Sequence, residues 1–290
     1  MQSVKARFLP FSLHNGYENM ATDEYLVAWQ ERERRPVLRI YGWARPCISL
    51  GRYQRSDCLD LEACRRDGVG IVRRMTGGGA IFHDCEVTYS LATSDANLEG
   101  RPLPIEESFA RLNRFILDTY HSLGLPAAYA KDASPQHCPG RRAPFCFSGR
   151  EAYDVIIRGK KIGGNAQCRT RGVIFQHGSI PLAIDGDRAQ KYFQDRIDAQ
   201  MFTSLGALLG GVIAPEEVAV RLAQAFVKNM GLELCVTELT AAEQMEIDLL
   251  MRQKYLHDAW NLEGRLETHE VRQAGLAKGA GINGISDNKD

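Results

Sequence analysis

The sequence predicts an α+β fold, and three observations predict it. Segments with strand character crowd the first two thirds of the 290 residues, and helical patterns dominate the last third. The two types do not alternate strictly, as a doubly wound parallel sheet requires. With 44% hydrophobic and 25% charged residues and no internal repeat, the chain reads as globular, long enough to bury a sizeable core.

The elements follow in order. Residues 19–33 read as a helix: Met20, Tyr25, Leu26 and Trp29 fall near one face, Asn19 caps it, and Asp23 and Glu24 suit the first turns. Residues 37–43 and 47–51 read as strands joined at Arg45-Pro46, residues 57–68 as a short helix and residues 70–74 as a strand. Residues 80–84 and 86–93 are further strands on either side of Asp84-Cys85, and residues 105–123 form a helix. Residues 132–144 carry three prolines and few apolar side chains, which predicts a loop. A β-hairpin follows: strand 153–157, turn Arg158-Gly159-Lys160, strand 161–166. Residues 173–182 are another strand. Helices are expected near 186–195, over 215–229 with Pro215 at the start, and over 241–254. The polar, glycine-rich stretch 263–290 reads as a weakly ordered tail behind one domain spanning 1–262.

Charge narrows the function. Lys plus Arg and Asp plus Glu number 36 each, so no global field favours nucleic acid or an acidic membrane surface. No apolar run is long enough to span a bilayer, and the first residues lack the pattern of an export signal, so a cytoplasmic chain is expected. The eight cysteines are scattered, and no CxxC pair occurs. Cys138 and Cys146 have no matching Cys/His pair, so no metal site is expected. Reduced thiols acting mostly as small core side chains fit this pattern.

Three stretches carry chemistry. In RRMTGGGAIFHD, residues 73–84, Gly77, Gly78 and Gly79 strip the backbone bare, so a ligand can approach its N–H groups. Strand alternation sends Arg73 and Arg74 to opposite faces. Neither a Walker A loop nor a G-x-G-x-x-G fingerprint between strand and helix is present. In RGKKIGGNAQ, Lys161 points inward and Lys160 belongs to the turn; a buried lysine stays charged only with a partner, here an acyl carbonyl, a phosphate or a thiolate. Cys146, in FCFSG, reads either as a buried cysteine or as a nucleophile whose thiolate a nearby cation favours. His83 and His177 sit in strand contexts, and His83, which follows the glycines, is the better site candidate.

NMATDE, ISLGRYQ, RRMTGGGAIFHD, GKKIGGNAQ and VIFQHGSIPL occur in an order that resembles the biotin/lipoate protein ligase and octanoyltransferase superfamily, over about residues 14–262. The resemblance implies a central mixed β-sheet flanked by helices. It also implies attachment of an octanoyl, lipoyl or biotinyl group to one lysine of a small carrier domain. Arg74, Gly77, Gly78, Gly79, Ala80, Ile81, Phe82 and His83 would line the acyl site, with Arg74 at its mouth. The ending KYLHDAWN is similar to that of single-domain octanoyltransferases, which implies Cys146 as acyl-thioester nucleophile and Lys161 as the group lowering its pKa, with no cofactor. The carrier would be a glycine-cleavage H protein or a 2-oxoacid dehydrogenase E2 domain, and the donor an octanoyl-acyl carrier protein. The third glycine and GGNAQ lean toward ligases, which use ATP and Mg²⁺ and form lipoyl-AMP; Cys146 is then a bystander. A non-catalytic carrier-binding protein is the third reading.

Overall fold

Three central strands are buried along their whole length, which demands a layer of helices on each face of their sheet. A computed structural model of the protein describes residues 5–98, 100–132 and 152–265. Its strands are β1 (Lys5–His14), β2 (Val37–Trp43), β3 (Cys47–Leu50), β4 (Gly70–Arg73), β5 (Ile81–His83), β6 (Glu86–Thr93), β7 (Ala128–Tyr129), β8 (Val155–Ile157), β9 (Lys160–Thr170), β10 (Val173–Pro181) and β11 (Glu233–Val236). The helices are α1 (Gly16–Glu33), α2 (Leu61–Asp67), α3 (Asp95–Leu98), α4 (Ile105–Ser122), α5 (Gly186–Gln190), α6 (Leu205–Leu209), α7 (Pro215–Met230), α8 (Ala241–Leu250) and α9 (Asp258–Asn261).

Among the described residues, the main sheet has the order β11-β1-β2-β6-β10-β9-β8-β7. It is mixed: β1 runs parallel to β2 and β11, and the other neighbours are antiparallel. Leu38, Ile40, Tyr89, Leu91 and Ile180 pack with Phe115 and Ile116 of α4 and Leu222 and Phe226 of α7. On the other face Tyr41, Ala92 and Phe175 pack with Met20, Tyr25 and Leu26 of α1 and Ile247 of α8. A small sheet, β4-β3-β5, makes a third cluster with α2 and α5.

Several predicted boundaries move, each for a local reason. Helix α1 starts one turn early, because Asn15 rather than Asn19 caps it, accepting from the Glu18 N–H at 3.0 Å. Asn19 is buried inside the helix, where its Oδ1 accepts from Arg39 at 2.6 Å and its Nδ2 donates to the Gly42 carbonyl at 3.1 Å. The helix expected over 241–254 becomes α8 followed by a wider π-helical turn, Met251–Tyr255, which brings Lys254 and Tyr255 together onto Glu24. The hairpin turn is two residues, Arg158 and Gly159, both at positive φ, so Lys160 begins β9. The tail expected from 263 falls, beyond Arg265, outside the described residues.

The hairpin also hides a β-bulge. Ile157 pairs with Lys160 and Ile156 with Lys161, but Val155 pairs with Gly163, so Ile162 is the extra residue. Ile162 packs into the α4–α7 core with Val155 and Ile157, Lys161 takes the opposite face with Ile156, and the slip brings Ala166, the partner of His177, onto that same face.

One carboxylate joins the first strand to the last long helix. Glu243 accepts two bonds from Arg7, at 2.6 and 2.9 Å, one from Tyr25 at 3.2 Å and one from the Thr240 N–H at 2.8 Å. These donors, Arg7 foremost, hold its pKa down at about 2 against an ordinary 4.5. A depressed folded-state pKa gives stability that is complete above pH 4.5 and is lost as pH falls toward 2. Glu243→Gln is therefore expected to lower the urea midpoint at neutral pH and to flatten its decline across that acid window. Parallel urea titrations of the two proteins check this.

Candidate active site

The glycine stretch lies between β4 and β5 and folds flat against the end of β3. The Arg52 N–H donates to the Thr76 carbonyl at 2.7 Å, and a Cβ on Gly51 would sit 2.0 Å from the Gly78 carbonyl oxygen. Gly78 itself holds φ +95°, a backbone state that favours glycine. Bare backbone here is what lets two chain segments touch.

The two arginines before the loop point to opposite sides, as strand alternation requires. Arg73 reaches the C-terminal segment, donating to the carbonyls of Trp260 at 2.9 Å and Leu262 at 2.9 Å, and to those of Gly51 at 2.8 Å and Gln54 at 2.6 Å. Arg74, expected at the mouth of an acyl site, is buried beneath the loop. Its Nη1 donates to the Ser49 carbonyl at 2.8 Å and Ser49 Oγ at 3.2 Å; its Nη2 donates to the Gly77 and Gly79 carbonyls, each at 2.7 Å. Ala80 and Ile81 point into the small sheet's core, and Phe82, half-buried, packs at 5.4 Å from the Tyr192 ring.

Both histidines support this loop. His83 stacks on Trp43 at 3.8 Å, with Nδ1 2.8 Å from Glu86 Oε1 and Nε2 2.7 Å from Ser49 Oγ. Burial pushes the Glu86 carboxyl up, but His83 and Thr88 bring it below its ordinary value, so it is ionised and accepts. Ser49 Oγ accepts from Arg74 and is hydrogen-bonded to His83, a chain running Arg74–Ser49–His83–Glu86. His177 Nε2 lies 2.6 Å from the hydroxyl of Thr76, inside the glycine motif itself. Burial, with Arg74 and His83 nearby, holds His177 well below its ordinary pKa, so it is neutral near pH 7.

Lys161 is 2% exposed, and its Nζ lies 2.7 Å from Asp154 Oδ2. It shares its sheet face with His177, which bonds to the loop, and the Thr203 N–H donates to its carbonyl at 2.9 Å. Asp154 is the site residue that the sequence patterns do not single out. Two-residue turn geometry was the available signal: a turn at 158–159 pairs Ile156 with Lys161 and so brings Asp154 alongside. Cys146 and Cys138 lie outside the described residues. Of the described cysteines, burial pushes Cys64 and Cys168 up to about 11, and raises Cys47, Cys58 and Cys85 as well, so these five stay thiols.

Residues 15–227 match the family model of the lipoyl protein ligase A/B catalytic domain, and the chain belongs to that family. It is 37% identical to the octanoyltransferase LipM of Kyrpidia tusciae over 257 residues, covering 84% of this chain and 93% of that protein. The LipM of Geobacillus kaustophilus is 34% identical over 260 residues, with the same coverage of 84% and 93%. Among solved structures, a lipoate-protein ligase A bound with ATP aligns at a TM-score of 0.75 and 20% identity, over 90% of this chain and 100% of that one. A bipartite lipoate protein ligase from Thermoplasma acidophilum aligns at 0.74 and 21%, over 92% and 100%. These two likenesses are likenesses of fold, a mixed sheet flanked by helices.

Arg74→Met would leave the carbonyls of Ser49, Gly77 and Gly79 without this donor. A loss of about 3 kcal/mol in unfolding free energy is expected, read from urea titration. Arg74→Lys should recover less than half of it, since an ammonium cannot span both ends of the fork.

Proposed function

We propose that this chain transfers an octanoyl group to one lysine of a lipoyl carrier domain through an acyl-thioester on Cys146. The likeness to octanoyltransferases, at 37% identity across 84% of the chain, carries the reaction class. The ligase likenesses, at 20% and 21% identity, extend to the fold and do not favour an ATP-dependent reaction. A non-catalytic carrier-binding role finds no favour among the named relatives.

The reaction runs in two displacements. Cys146 sulfur attacks the carbonyl of an octanoyl thioester, for which octanoyl-acyl carrier protein is the proposed donor. A C–S bond forms to Cys146, the donor's C–S bond breaks, and the departing thiolate takes the proton that Cys146 gave up. The acceptor lysine, as a free amine, then attacks the new thioester. A C–N bond forms, the C–S bond to Cys146 breaks, and one amine proton returns the cysteine to its thiol form. Each attack places negative charge on the carbonyl oxygen, where the Lys161 ammonium and the loop N–H groups would stabilise it. The thioester is already activated, so neither ATP nor Mg²⁺ is needed. The five cysteines whose thiols are pushed up are poor nucleophiles, which narrows the candidates to Cys138, Cys146 and Cys235, and the motif context of FCFSG favours Cys146.

Arg74, the glycines, Ala80, Ile81, Phe82 and His83 form the wall in this reading; Arg74 and His83 shape it from behind. The acceptor would be a glycine-cleavage H protein or an E2 lipoyl domain. A cytoplasmic setting suits a nucleophile that must stay reduced.

Intact-mass measurement after exposure to octanoyl-acyl carrier protein tests the reading. One octanoyl increment, removed by hydroxylamine and absent in Cys146→Ala, is expected. That variant should transfer at least about a thousandfold more slowly. Full transfer by Cys146→Ala, or acceptor modification only with free octanoate and ATP, would overturn it.

A further inference from the structure

We propose that Asp154 is a positioning residue of the acyl-transfer site, holding Lys161 in place as an ammonium through both displacements. This rests on the reading of Cys146 and Lys161 as the working pair. The geometry is a buried carboxylate and a buried amine, 5% and 2% exposed, 2.7 Å apart. The Ile156–Lys161 pairing puts both on one sheet face, and the bond from the Thr203 N–H fixes the lysine backbone.

A buried amine without an anion gives up its proton, because desolvation penalises the charged form. Lys161 would then lose the positive charge that stabilises a thiolate or an oxyanion. With Asp154 against it the ammonium is the favoured form. Lys161 is therefore not the base that takes the proton of Cys146; its protonation stays constant while charge moves from sulfur to carbonyl oxygen and back. The pair also sums to zero charge, so it steadies a thiolate without trapping it in an over-stabilised, poorly nucleophilic form.

Among the described residues, the elements around Lys161 carry these titratable groups. His177 on β10 is neutral and bonded to Thr76, and Asp198 on the 199–203 side accepts from the Gln200 N–H at 3.0 Å. Lys160 is exposed.

The test is the pH profile of single-turnover acylation by octanoyl-acyl carrier protein. The intact protein should not lose rate between about pH 6 and 8. Asp154→Asn should lose ~10- to 100-fold toward pH 8, as Lys161 discharges. Asp154→Glu should keep the intact profile's shape, and Asp154→Asn combined with Lys161→Arg should lose the falling limb. A uniform loss in Asp154→Asn with no change of shape, or a falling limb in Asp154→Glu, would overturn the proposal. Should Asp154→Asn fail to fold, the Lys161 Nζ resonance of the intact protein decides, assigned by its absence in Lys161→Arg: an ammonium shift across this range is expected, and a neutral amine at pH 8 refutes it. Cys146→Ala separates the two readings. If Cys146 is dispensable, the thioester mechanism falls; if Cys146 is essential and Asp154→Asn leaves the profile unchanged, only the role of Asp154 falls.

Discussion

A guanidinium buried under a loop of bare backbone is the interaction on which the site depends. Arg74 gathers the carbonyls of Ser49, Gly77 and Gly79 onto one planar fork. Carbonyls turned inward toward a cation let the loop's N–H groups face the other way. Peptide planarity ties the two together, since each C=O and the N–H that follows it point in opposite directions. A lysine's compact ammonium could not hold these three acceptors in the planar relation that the guanidinium fork imposes. Through Ser49 the same guanidinium continues into His83 and Glu86, so the loop, β3 and β5 form one hydrogen-bonded unit.

That unit explains what glycines accomplish here. Gly78 needs its positive φ, and Gly51 must lack a Cβ because the Gly78 oxygen occupies that space. The sequence marks these positions as bare and leaves the occupant open. A ligand and a second stretch of backbone make the same demand on a residue, and at Gly51 the demand comes from backbone. The arginine pair shows the same limit. Alternation separates Arg73 from Arg74 correctly, yet both end among carbonyls, one on the C-terminal segment and one under the loop.

Much of the fold was legible because burial on two faces leaves a strong mark. β2 and β6 occupy the predicted spans, and α4 and α7 differ by a residue at one end. The illegible parts are those that tertiary contacts decide. β11 is a short strand with exposed ends and has no apolar run to announce it. Asn19 reads as the cap from its residue type alone, and the buried Arg39, 2.9 Å from Asp23, claims it for the helix interior instead. Within the site, Lys161 was legible as an inward lysine, but Asp154 was not. Finding it requires the hairpin register: only when a two-residue turn at 158–159 pairs Ile156 with Lys161 does Asp154 fall on the lysine's face.

The hairpin pairing also bears on how one fold can host different acyl chemistries. In the proposed reading, a lysine and an aspartate on one sheet face, with the N–H groups of the glycine loop, would form a site for developing negative charge whatever atom carries it. A phosphate oxygen in an acyl-adenylate and a carbonyl oxygen in a thioester displacement make similar demands on such a site. What separates the chemistries is the group that delivers the acyl chain, and that group comes from outside this loop. In the reading advanced here it is a sulfur on the segment before the hairpin. The likeness in fold to ATP-binding ligases and the likeness in sequence to octanoyltransferases are then compatible: the charge-stabilising face is common ground, and the nucleophile decides the reaction.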